Sequence, residues 1–87
     1  MIQICFTFNG AGHAIVTING PNHFLHTYPK IQTGCDSIAL IPGVYAVSIV
    51  GTSGLGGTDI DISGQQSNAV HDNVPAGQLA RVFFITV

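Results

Sequence analysis

Ile2-Gln3-Ile4-Cys5-Phe6-Thr7-Phe8 and Thr58-Asp59-Ile60-Asp61-Ile62-Ser63 carry the same signal twice. Ile2, Ile4, Phe6 and Phe8 fall on one side of an extended chain, and Gln3, Cys5 and Thr7 on the other. Ile60 and Ile62 likewise oppose Asp59 and Asp61. A period of two is the signature of a strand with one face in a core and one in water. The acids of the second stretch are therefore expected to face solvent.

Outward from these two stretches the chain keeps the same grammar. Asn9-Gly10-Ala11-Gly12 breaks the first strand, His13 to Ile18 is extended, Asn19-Gly20-Pro21-Asn22 turns, and His23 to Tyr28 returns. A symmetric turn there sets Ile15 opposite His26 and His13 opposite Tyr28. Pro29 closes that hairpin, because proline has no N–H for a ladder, and Ile31 to Cys35 reads as a polar connection. Ser37 to Ile41, a Pro42-Gly43 type II turn and Val44 to Val50 suggest a second hairpin. Gly51 to Gly57 reads as an exposed glycine-rich loop, Gln65 to Gly77 as an excursion without a period, and Arg81 to Val87 as a final apolar strand. Seven strand candidates separated by turns, with no helical period, indicate a single all-β domain over residues 1–87. The expected form is a small antiparallel β-sandwich, with a small β-barrel as the alternative.

The stretch Ile38-Ala39-Leu40-Ile41-Pro42-Gly43-Val44-Tyr45-Ala46-Val47-Ser48-Ile49-Val50-Gly51 resembles the strand, Pro-Gly turn and Tyr-x-Val-x-Ile-x-Gly strand of transthyretin-like and carboxypeptidase-regulatory-like sandwich modules. With Thr58 to Gly64 the likeness covers about a third of the chain. It implies a seven-strand sandwich used for binding or spacing, and carries no catalytic residue.

Composition narrows the function. Only 7% of the 87 residues are charged, against roughly 25% in an ordinary soluble domain, while 46% are hydrophobic. Lys30 and Arg81 are the only permanent cations, too few to neutralise a run of phosphates, so no nucleic-acid partner is expected. No stretch has the length of a membrane span. Met1 to Phe8 lacks a basic region, a sustained apolar run and a small-residue cleavage site, so no secretory signal is read there. Localisation stays open: cytoplasmic synthesis is expected, with non-classical export as the route outward. Cys5 and Cys35 permit one disulfide, but without a motif spacing they read as free buried thiols.

No catalytic set emerges, and no cofactor motif. His71 and Asp72 are adjacent, so they point apart on an extended chain, and no Gly-x-Ser-x-Gly elbow accompanies them. The chain is thus expected not to be an enzyme. His13 and His26 become diagonal neighbours in the symmetric hairpin, close enough to share a metal ion if further ligands join them. Tyr28, Asn68, Asp72 and Asn73 offer a ring and neutral or acidic acceptors suited to sugar hydroxyls, which makes a lectin-like, glycan-binding domain the alternative function.

The first expectation is a non-catalytic interaction module that self-associates as a homo-oligomer or docks into a larger assembly. A small domain with six formal charges must leave apolar surface uncovered. The last strand is apolar on both faces, with Val82 and Phe84 expected in the core and Phe83, Ile85 and Val87 at an interface.

Overall fold

The computed structural model covers residues 1–87 and contains only strands and turns. They are β1 (Ile2–Phe8), β2 (His13–Asn19), β3 (Leu25–Lys30), β4 (Gly34–Ile38), β5 (Val44–Ser53), β6 (Thr58–Ser63), β7 (Val70–Val74) and β8 (Gly77–Thr86). Two four-stranded antiparallel sheets form: sheet A in the order β4-β1-β6-β7 and sheet B in the order β3-β2-β5-β8. They pack face to face as a sandwich, and neither closes into a barrel.

The alternating stretches build the core as their period demands. Ile2, Ile4 and Phe6 of β1 and Ile60 and Ile62 of β6 are fully buried from sheet A. Val16 and Ile18 of β2 and Tyr45, Val47 and Ile49 of β5 meet them from sheet B. Each buried aliphatic side chain contributes roughly 1.5 to 3 kcal/mol relative to exposure. Asp59 and Asp61 lie on the outer side of sheet A, as their spacing requires.

Several local expectations are corrected. The β2–β3 hairpin turns later than a symmetric Asn19–Asn22 turn would. The Phe24 N–H donates to the Pro21 carbonyl at 3.2 Å, and Asn22 and His23 take left-handed conformations at φ 58° and 62°. Two successive positive-φ residues suit the right-handed twist of a tight hairpin. The ladder therefore sets Ile18 opposite His26 and Val16 opposite Tyr28.

Pro42-Gly43 does not close a hairpin. Gly43 and Val87 exchange backbone hydrogen bonds at 3.0 and 2.8 Å, so the chain leaves β4 in sheet A and joins β5 in sheet B. The polar connection at Ile31 to Cys35 contains the start of β4, and the excursion at Gln65 to Gly77 contains β7, giving eight strands. β5 runs through Gly51 to Ser53, confining the glycine turn to Gly54–Gly57, where Gly56 and Gly57 adopt φ 92° and 81°. Cys5 and Cys35 are not free: they stand directly opposite in β1 and β4 and form a disulfide.

The final strand is in the opposite phase to that expected. Ile85 is buried and Phe83 and Val87 pack against the core, whereas Val82 and Phe84 project outward. Phe83, Ile85 and Val87 are therefore core residues and not interface residues. Pairing of Tyr45 with Ile85 and of Val47 with Phe83 fixes this phase, because the inward positions of β5 carry the larger apolar side chains.

Candidate interaction surface

The outer side of sheet B follows from register. Leu25, Asn19, Ala46 and Phe84 lie in one row across the four strands, and Thr27, Thr17, Ser48 and Val82 in the next. Pro29, Ile15, Val50 and Ala80 form the third, and His13, Thr52 and Gln78 the fourth. Thr27 and Thr17 confirm the shared side through a hydroxyl contact of 3.4 Å. None of these residues is Lys, Arg, Asp or Glu. Large side chains stand open on it: Leu25 is 65% exposed, Val50 and Val82 56%, Ile15 46% and Phe84 75%.

The charges have been drawn to other places. Lys30 of β3 reaches across to Asp36 of β4, with Nζ 2.8 Å from Oδ2. Arg81 of β8 donates its Nε to Asp72 Oδ2 of β7 at 2.8 Å. Each pair joins sheet A to sheet B at one of the two open sides of the sandwich. Both permanent cations are thereby consumed in closing those sides.

The outer side of sheet A is polar. Asn73 Nδ2 donates to Asp59 Oδ1 at 2.6 Å, which, with weaker help from Asn9, holds the Asp59 carboxyl below the usual carboxylate range. His71 Nδ1 meets Asp61 Oδ1 at 2.5 Å. That hydrogen bond first, then the charge of Asp61 and of Asp59 and Asp72 beyond it, raises the imidazole above its ordinary value. The Cys5–Cys35 disulfide lies on this same side, with Cys5 opposite Asp61.

The sugar-binding candidates are not gathered. Tyr28 sits on the edge strand β3, beside β4, whereas Asp72 and Asn73 are on β7 at the far edge and Asn68 is in the turn that precedes it. Asp72 is held by Arg81 and Asn73 by Asp59; the Asn68 carbonyl accepts from Gln65 Nε2 at 3.0 Å. The Tyr28 hydroxyl is buried without a partner, and burial, followed by the nearby Asp36 charge, pushes its pKa up to about 12.

The metal candidates are separated too. His13 projects from the outer side of sheet B, while His26, opposite Ile18, is on the core side. The ladder is shifted from the symmetric hairpin by an odd number of residues, which exchanges faces. No group of three or more His, Cys, Asp or Glu side chains converges, and no pocket opens on the molecule. No helix is long and apolar enough to cross a membrane.

Sequence reasoning missed Ile15, Val50, Ala80, Val82 and Phe84 as surface residues. The available signal was the partner strand, since Ala46 and Ser48 alternate with Tyr45 and Val47 and so mark which phase of β5 faces out. Comparison with family models, curated proteins and solved structures finds no match. The surface chemistry alone carries the functional reading.

Proposed function

We propose that this chain is a non-catalytic interaction module that associates with itself, alone or as a unit of a larger assembly. One observation supports it above others: an entire sheet face free of formal charge that leaves Leu25, Val50, Val82 and Phe84 more than half exposed. Water solvates such a face poorly, and burying it against another uncharged face removes apolar area at roughly 25 cal/mol per Å² without stripping water from an ion. The domain measures 37 × 22 × 17 Å between its outermost Cα atoms, so one broad side is large enough for a specific contact.

The test is molar mass against concentration by sedimentation equilibrium or light scattering. A mass that rises with concentration toward a defined multiple supports the reading. A monomer throughout, up to ~1 mM, removes it, since self-association weaker than that is worth less than about 4 kcal/mol.

A further inference from the structure

The two outer strands of sheet B differ in how they treat their open backbone edge. In β2–β3 the outward N–H positions of β3 fall at Leu25, Thr27 and Pro29, and proline offers no donor there. β8 has no such guard over most of its ten residues. Gly43 and Val87 exchange hydrogen bonds on the inner side of this strand, so alternation turns the N–H and C=O of Gln78, Ala80, Val82, Phe84 and Thr86 away from β5. The Thr86 groups are taken by the Gln66-Ser67 segment: its N–H donates to Ser67 Oγ at 3.0 Å and its carbonyl accepts from the Gln66 N–H at 2.8 Å. Arg81 Nη1 occupies one side of the Ala80 carbonyl at 3.0 Å. The N–H and C=O of Val82 and of Phe84 have no partner within the chain.

We infer that β8 pairs antiparallel with β8 of a second copy of this chain, with Val82 opposite its twin on a two-fold axis. The inference rests on the association reading above and adds a contact at the sheet edge, beside the uncharged face. The register is selected by exclusion. Antiparallel pairing of two outward-facing rows puts a two-fold axis at Ala80, Arg81, Val82, Phe83 or Phe84. An axis at Phe84 needs the Thr86 groups, already used, to pair with Val82, and one at Ala80 sets the exposed Phe84 opposite Ala76, beyond the end of the strand. An axis at Arg81 sets two guanidinium-bearing residues directly opposite, where like charges repel. An axis at Phe83 needs Thr86 to pair with Ala80 of the other copy, and since the Thr86 groups are already used it keeps only the two Val82–Phe84 pairs, whereas an axis at Val82 keeps three pairs without Thr86. An axis at Val82 sets each Phe84 opposite the partner's Ala80, a large side chain beside a small one, and each Arg81 opposite the partner's Phe83. In this register each Arg81 keeps its pair with Asp72 and is no longer directly opposite its twin.

The pairing forms about six inter-chain backbone hydrogen bonds, two at the Val82 pair and two at each Ala80–Phe84 pair. It removes an exposed unpaired edge that natural sheets otherwise protect. It also places both uncharged outer faces on the same side, joining them into one eight-stranded surface available to further subunits. The outer positions nearest the seam, Val82 and Phe84, are among the most exposed apolar residues of sheet B.

Sedimentation equilibrium of the full chain and four variants decides the matter, with circular dichroism to verify folding. Val82→Pro removes an outward N–H that no bond within the chain uses, so it should fold and remain a monomer at concentrations where the parent chain is a dimer. Phe84→Ala and Ala80→Phe should each weaken the dimer about tenfold, the loss of roughly 1.4 kcal/mol of fit across a cross-strand pair. The double variant Ala80→Phe/Phe84→Ala exchanges large for small on both strands and should restore dimerisation; this rescue does not depend on how Val82→Pro folds. A double variant that dimerises no better than the weaker single variant overturns the Val82-centred register. Should Val82→Pro fold and dimerise like the parent, the edge contact is overturned while association stands, and Ile15→Lys with Val50→Lys then places the contact on the flat face. A parent chain that is monomeric throughout overturns both the edge contact and the association reading.

Discussion

Arg81 Nε and Asp72 Oδ2 meet at 2.8 Å across the gap between the two sheets, one at each side of the sandwich's far edge. Arg81 shares the inward phase of Phe83 and Ile85, a position where a lone cation would oppose burial. The carboxylate neutralises it between the inward residues Leu79 and Phe83, where the open side of the sandwich meets solvent. Asp72→Asn should lower unfolding free energy by about 1 kcal/mol or less, because both side chains retain contact with water. It should weaken self-association as well, since the released guanidinium then lies beside the proposed seam. Denaturant unfolding and sedimentation of the same variant measure the two effects separately.

The phase of β8 makes a paired prediction. Ile85→Ala empties a fully buried position and should cost about 2 to 5 kcal/mol, comparable to the stability of so short a domain. Phe84→Ala removes an exposed ring and should leave the unfolding midpoint of the monomer nearly unchanged. Equal destabilisation by the two substitutions, read from chemical unfolding at low protein concentration, would show the phase to be wrong.

The disulfide closes a separation of 30 residues between the edge strand β4 and its neighbour β1. Restricting a loop of that length in the unfolded chain stabilises the fold by about 3 to 4 kcal/mol in the chain-entropy treatment. Reduction should accordingly move the thermal midpoint down by well over ten degrees, roughly 4 to 8 °C for each kcal/mol in a domain of this size. A scan with and without reductant, checked by thiol titration, measures it.

The two tyrosines should respond in opposite ways to loss of the hydroxyl. Tyr45 is fully buried and donates to the Ile41 carbonyl at 2.7 Å, so Tyr45→Phe strands that acceptor and should cost about 1 to 2 kcal/mol. The buried Tyr28 hydroxyl has no partner, so Tyr28→Phe removes a desolvated group and should be neutral or stabilising. Ultraviolet titration of the folded protein should place the Tyr28 phenol at about 12.

His71 gives the pH dependence. Its folded pKa is raised by Asp61, so the protonated imidazole favours the folded state. That contribution is fully present below the unfolded value of about 6.5 and is lost as pH rises through the higher folded value. The proton resonances of His71 should titrate with a midpoint above 6.5, and Asp61→Asn should bring the midpoint down toward it. An unchanged midpoint in that variant would mean that the ion pair does not govern the histidine.

Much of the fold was legible because strand period is written locally. Ile2 to Phe8 and Thr58 to Ser63 announce both their conformation and their inward faces, for polar and apolar side chains occupy alternate positions and only one assignment buries the apolar set. The functional surface was far less legible. Arg81 to Val87 is apolar at nearly every position, so alternation alone leaves two phases of similar merit, and the arginine favours the wrong one until Asp72 is placed beside it.

All-β character, scarcity of charge and the alternation of the core strands can be read along the chain, because each depends on a residue and its near neighbours. That the sheets form a sandwich, that Cys5 meets Cys35, that His13 and His26 occupy opposite sides of a sheet, and that Phe84 faces water while Ile85 faces the core emerges from the folded arrangement. The last three are each a matter of register between paired strands. Register depends on the turn that sets the ladder and on the strand that receives it, and a shift of one residue exchanges every face.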